Sequence, residues 1–125
     1  MTDQLVPVLT FLDGERSLAF LTDGLGFEVL LTQRSETGGL RHAELRRGDA
    51  VVMGGEGDAR PAAAPGLYLV VEDVDAAHRH AVAAGAAEVE PPHDLYPGMR
   101  RARLRDPDGH EWSLSTYRPG RIRGR

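Results

Sequence analysis

Apolar and polar residues along this chain fall into two runs built on one plan. Leu5 to Leu12 is apolar and β-rich, which predicts a strand, and Pro7 marks a sheet edge or a strand start. Asp13 is placed to cap a helix. Leu18, Leu21 and Leu25 then follow at i, i+3 and i+7, the apolar stripe of a helix, and Gly26 ends it. Glu28 to Gln33 reads as a strand and Thr37-Gly38-Gly39 as a turn. From Arg41 to Arg46 the pattern alternates, with Ala43 and Leu45 on one face and His42, Glu44 and Arg46 on the other. Gly48-Asp49 predicts a hairpin turn, and Ala50 to Met53 the returning strand.

The second run repeats the first. Leu67 to Val71 is a strand, Asp73 caps a helix running through Ala84, and Gly85 stops it. Asp13 thus recurs as Asp73, Glu28 as Glu88 and Val29 as Val89, the signature of an internal duplication. Glu88 to Pro91 predicts a short strand, Pro91 to Gly98 a loop, and Met99 to Arg105 a strand. Asp106-Pro107-Asp108-Gly109 is a tight turn, since Pro presets one φ and Gly accepts the left-handed one. Glu111 to Tyr117 closes the pattern. The plan is α+β: a single domain over residues 1–118, made of repeats at about 5–54 and 66–117. A Gly/Ala/Pro-rich linker at 55–65 joins them, and an arginine-rich tail at 119–125 reads as disordered.

Composition narrows the function classes. The chain has 125 residues, 41% of them hydrophobic, enough for one core. It has no cysteine, which removes disulfides, thiolate catalysis and Cys-bound zinc. No long apolar run and no basic, apolar start are present, so neither a membrane partner nor a signal peptide is expected, and a cytoplasmic setting is. A net charge of −4 argues against nucleic-acid partners, although all 15 basic residues are Arg and several cluster late. No nucleophile elbow, phosphate-binding loop or dinucleotide glycine set occurs.

A strand–Asp–helix–Gly unit followed by hairpins, repeated, and closing on Asp106-Pro107-Asp108-Gly109-His110-Glu111-Trp112-Ser113-Leu114, resembles the vicinal oxygen chelate superfamily. That group contains glyoxalase I, extradiol dioxygenases, fosfomycin-resistance enzymes and bleomycin-binding proteins. The stretches Val6-Pro7, His42-Ala43-Glu44-Leu45 with Gly48-Asp49, and Gly98 through Trp112 are similar to its small glyoxalase-like branch. The resemblance implies two βαβββ modules forming a cup-shaped, partly open mixed sheet with helices outside, and a homodimer. Enzymes of the family bind a divalent cation through His, Glu or Gln. The matching positions here are Val6, the region of Met53, Gly66 and Ser113, which supply no such donors. The expected metal and cofactor content is therefore none.

In such a cup, alternation sends Leu67, Leu69, Val71, Ala102, Leu104, Trp112 and Leu114 to the core. It turns His42, Glu44, Tyr68, Val70, Arg101, Arg103, Glu111 and Ser113 to the cavity, a lining suited to a polar aromatic or anionic small molecule. Met53 joins that lining, and Tyr96 and Met99 stand in a segment expected to close over it. The leading expectation is a metal-free protein that binds a small organic molecule, sequestering an antibiotic-like or aromatic compound. The alternative is a glyoxalase-like lyase or isomerase acting on a small carbonyl or conjugate. His42 or Glu44 would then be the base, and Arg103 or Arg101 the anion stabiliser. Plainer roles stay open: His42 and Glu44 as polar residues of a half-solvated strand, the arginines paired with Glu44, Glu90 or Glu111, His110-Glu111 at the surface after a turn, and His78, His80 and His93 as surface histidines.

Overall fold

The computed structural model describes residues 4–58 and 66–119. The first three residues, positions 59–65 of the expected linker and the tail from 120 lie outside the described residues. The element order is β1 (Val8–Phe11), α1 (Gly14–Ala19) running into a π turn at Phe20–Gly24, β2 (Glu28–Arg34), β3 (Leu40–Arg47) and β4 (Ala50–Glu56). It continues with β5 (Leu67–Val70), α2 (Val74–Ala83), β6 (Ala87–Tyr96), β7 (Met99–Arg105) and β8 (Glu111–Ser115). The strands form two four-stranded sheets of identical topology, β1-β4-β3-β2 and β5-β8-β7-β6. In each, the first strand runs parallel to the last and the other pairings are antiparallel. The α+β arrangement of two βαβββ modules is as expected, and neither sheet closes into a barrel.

The duplication is physical at the helix starts. Asp13 accepts the Arg16 N–H at 3.2 Å, and Asp73 accepts the Ala76 N–H at 3.0 Å, each satisfying one orphan donor of its first turn. Gly26 (φ +73°) and Gly85 (φ +112°) follow the helical segments in a conformation L side chains resist. One core serves both modules. Leu45, Ala102, Leu104 and Leu114 are fully buried, and Phe27 of the first module meets Trp112 of the second edge-on at 6.2 Å. α2 packs on β6, β7 and β8, so the opposite face of the second sheet is the open one.

The structure departs from the expected pattern at four places. β1 spans only Val8–Phe11, and Leu5 is 96% exposed, outside any strand. β4 continues through Gly54 and Gly55 to Glu56, two residues into the stretch read as linker. The segment Pro91–Tyr96, read as loop, belongs to β6, which pairs with β7 through three register shifts. Two prolines fit there because β6 is an edge strand and need not donate outward. His110 is buried at 5% exposure rather than lying on the surface. Among the described residues no helix is long and apolar enough to cross a membrane.

Candidate functional site

Strand pairing places one row of open-face residues across each sheet. In the first, Val8 pairs with Met53, Met53 with Glu44, and Glu44 with Leu31. In the second, Tyr68 pairs with Ser113, Ser113 with Arg103, and Arg103 with Glu90. The buried neighbours of these residues, Ala43, Leu45, Ala102, Leu104, Trp112 and Leu114, point the other way, which is the alternation expected of a sheet packed on one face.

On the first sheet His42 Nε2 lies 2.8 Å from Glu44 Oε2, both side chains about one-third exposed. They share an open cavity of about 570 Å³ with Leu31, Gln33, Arg34 and Arg41. Met53 stands beside Glu44 in the register. On the second sheet Glu90 is gripped by two arginines: Arg101 Nε and Nη2 reach its Oε1 at 3.2 and 2.9 Å, and Arg103 Nε reaches its Oε2 at 3.3 Å. Arg103 Nη1 also donates to Glu111 at 2.9 Å. The Arg101 hydrogen bond holds the Glu90 carboxyl below the usual carboxylate range, against the desolvation that would raise it. Tyr68 is 45% exposed and its hydroxyl donates to the Tyr117 carbonyl at 3.0 Å. It also lines an apolar cleft of about 550 Å³ between the two sheets, with Pro7 and Val51 on one side and Leu67 on its own.

The expected lining residues therefore form two groups. His42, Glu44 and Met53 lie on the first sheet; Tyr68, Arg101, Arg103, Glu111 and Ser113 lie on the second. Arg103 is bonded to Glu90 and Glu111, and no hydrogen bond or ion pair among the described residues links it to His42 or Glu44. Tyr96 and Met99 pair with each other at the tip of the β6–β7 hairpin, beyond Arg101, as part of a strand pair and not of a separate flap. The sequence pattern does not single out Leu31, Gln33, Arg34 and Arg41 of the first cavity, and it offers Glu90 as one of three cross-sheet partners for the arginines. Leu31 and Gln33 follow a register shift after Val29, which breaks the simple alternation that would have found them.

The family's metal positions fail a donor test. Val6 and Gly66 precede β1 and β5 and carry no donor side chain, and two residues further on stand Val8 and Tyr68. Together with Met53 and Ser113 these offer a thioether, an aliphatic hydroxyl and a phenol already donating to Tyr117. No carboxylate or imidazole is among them, so the set does not fit a hard divalent cation. A second cluster does bring ligand types together, namely buried Asp106, Asp108 and His110. Its oxygens are committed. Asp106 Oδ1 accepts the N–H groups of Asp108 and His110, and Oδ2 accepts Trp112 Nε1 at 2.9 Å with His110 Nδ1 at 3.2 Å. Asp108 accepts the Leu12 N–H at 2.8 Å and the Ser17 hydroxyl at 2.7 Å. The turn is thus a clamp, fastening the second module to β1 and α1 of the first.

Residues 6–114 match the Glyoxalase/Bleomycin resistance protein/Dioxygenase superfamily. No curated protein matches the chain. Among solved structures, TioX from Micromonospora sp. ML1 is 30% identical and superposes with a TM-score of 0.73, over 91% of this chain and 98% of that one. The bleomycin-binding protein of bleomycin-producing Streptomyces verticillus, in complex with copper(II)-bleomycin, is 28% identical with a TM-score of 0.68, covering 94% of this chain and 100% of that one. A glyoxalase/bleomycin resistance protein from Streptomyces sp. CB03234 is 27% identical with a TM-score of 0.64, over 87% and 96%.

Proposed function

The chain belongs to the glyoxalase/bleomycin resistance protein/dioxygenase superfamily, and from that premise we propose that it binds and sequesters a small organic molecule, aromatic or antibiotic-like, without metal and without turning it over. The observation that carries this reading is the pair of open-face rows. Glu44 and Leu31 of the first row line a solvent-open cavity and Tyr68 of the second an apolar cleft, yet the positions that match the family's cation ligands, Val6, the region of Met53, Gly66 and Ser113, carry no carboxylate or imidazole. The likeness to a bleomycin-binding protein supports it. A homodimer is part of the proposal. Val29, Leu30, Leu31 and Tyr68 are 39–47% exposed on the sheets, apolar surface that a second copy would cover while walling in the cavities.

The test is a thermal-shift screen over a broad set of organic compounds, followed by mass spectrometry of the bound fraction. A ligand at saturating excess should raise Tm by several degrees, since stabilisation grows as the logarithm of its concentration over Kd. The compound should be recovered unchanged. A screen without a single binder sinks the reading.

The His42–Glu44 hydrogen bond favours a second reading, a lyase or isomerase acting on a small carbonyl, with this pair as base. In that case turnover is measurable and Glu44→Gln removes it; recovery of unchanged compound excludes it.

A further inference from the structure

β7 carries Arg101, Arg103 and Arg105 at alternate positions, so all three project from the open face of the second sheet. Among the described residues only two carboxylates answer them. Glu90 takes Arg101 and one edge of Arg103. Glu111 takes the other edge of Arg103, and Arg105 approaches it at 3.6 Å. Three guanidinium groups against two carboxylates leave the row with a positive charge in excess.

The unused donors are specific. A guanidinium has five N–H bonds in a planar fork. Arg101 Nη1 and Arg103 Nη2 make no hydrogen bond among the described residues, and neither does the hydroxyl of Ser113, which pairs with Arg103 in the register. Glu90 is the least exposed of the trio, its side chain 23% accessible against 29% for Arg101 and 36% for Arg103. It braces the guanidinium planes while leaving their outer edges open. Tyr68 continues the same row beyond Ser113, two strand spacings of about 4.8 Å from Arg103. Its hydroxyl is held by Tyr117 and its ring is half exposed.

We propose that Arg101 and Arg103, braced by Glu90 and continued by Ser113 and Tyr68, form a recognition site for the carboxylate of an aromatic acid. The fork edges take the planar anion by charge-assisted hydrogen bonds, and the ring lies along the row toward Tyr68. This deepens the binding function proposed above and rests on it: it names the class of ligand.

The experiment is calorimetric titration with 2-naphthoate and with 2-naphthamide, which share a ring system and differ in charge. The acid should bind about ten-fold more tightly than the amide, and raising salt from about 0.1 to 0.5 M should weaken only the acid. Arg101→Gln and Arg103→Gln should each bring the two affinities to within about two-fold while leaving the amide unchanged. Arg101→Lys keeps the charge beside Glu90 and removes the fork, so it should lose most of the preference even if the glutamine variants fold poorly. Equal affinities in the unsubstituted protein, or a preference that survives all three substitutions, overturn the assignment and leave the binding function standing. Failure of both naphthalene compounds while others in the screen bind overturns the assignment alone. Failure of every compound takes down both.

Discussion

Asp106 and Asp108 sit two residues apart and hold different parts of the molecule together. Burial pushes the Asp106 carboxyl up, but hydrogen bonds from His110 and Trp112 outweigh it and keep the group below its ordinary 3.8. A carboxyl depressed by folding contributes stability above its unfolded value, and that contribution disappears as pH falls through the folded value. Urea unfolding should therefore show stability declining as pH drops below about 3.8. Asp106→Asn should flatten that decline, leaving the part owed to Asp75 and Glu90, whose carboxyls are also lowered by arginine partners. At neutral pH the same variant should be less stable by about 1–3 kcal/mol, because an amide meets four donors with one acceptor oxygen. The sequence showed this tetrapeptide as a turn. It could not show the clamp, since Leu12 and Ser17 reach Asp108 from the other module.

β4 illustrates the gap between pattern and strand. Gly54 and Gly55 look like the start of a linker because glycine is rare within strands. In the fold, Gly54 lies under the Phe11 ring, and a Cβ there would sit 2.3 Å from Phe11 Cζ. Phe11 is 1% exposed and has nowhere to retreat. Gly54→Ala should cost about 1–3 kcal/mol by overpacking. Gly66→Ala, whose Cβ would meet only the Glu111 carbonyl at 3.7 Å among the described residues, should stay within about 0.5 kcal/mol; chemical denaturation of both checks the contrast. The helix after β1 departs from the plain stripe for a related reason. A π turn, with Leu25 N–H reaching the Phe20 carbonyl at 3.2 Å, brings Phe20 into the core and leaves Leu18 at its margin.

At the scale of the whole molecule, the two modules share one core. β2 is exposed along its full length, including Leu30 and Leu31. The proposed dimer predicts a sedimentation mass of twice the 13.6 kDa chain, and Leu31→Glu should raise its dissociation constant about ten-fold or more. A monomer at micromolar concentration would contradict it. The sequence by itself determined the duplication, the capping acids, the alternation of β3, β7 and β8, and the lack of carboxylate and imidazole donors at the family's metal positions. These are local features, written in residue types at strand and helix spacing. Tertiary structure alone decided that Arg103 answers Glu90 and not Glu44, that the Pro91–Tyr96 segment is an edge strand, and that His110 is buried in a clamp. Each depends on which strands become neighbours and where their register slips, and both are settled by contacts between residues far apart in the chain.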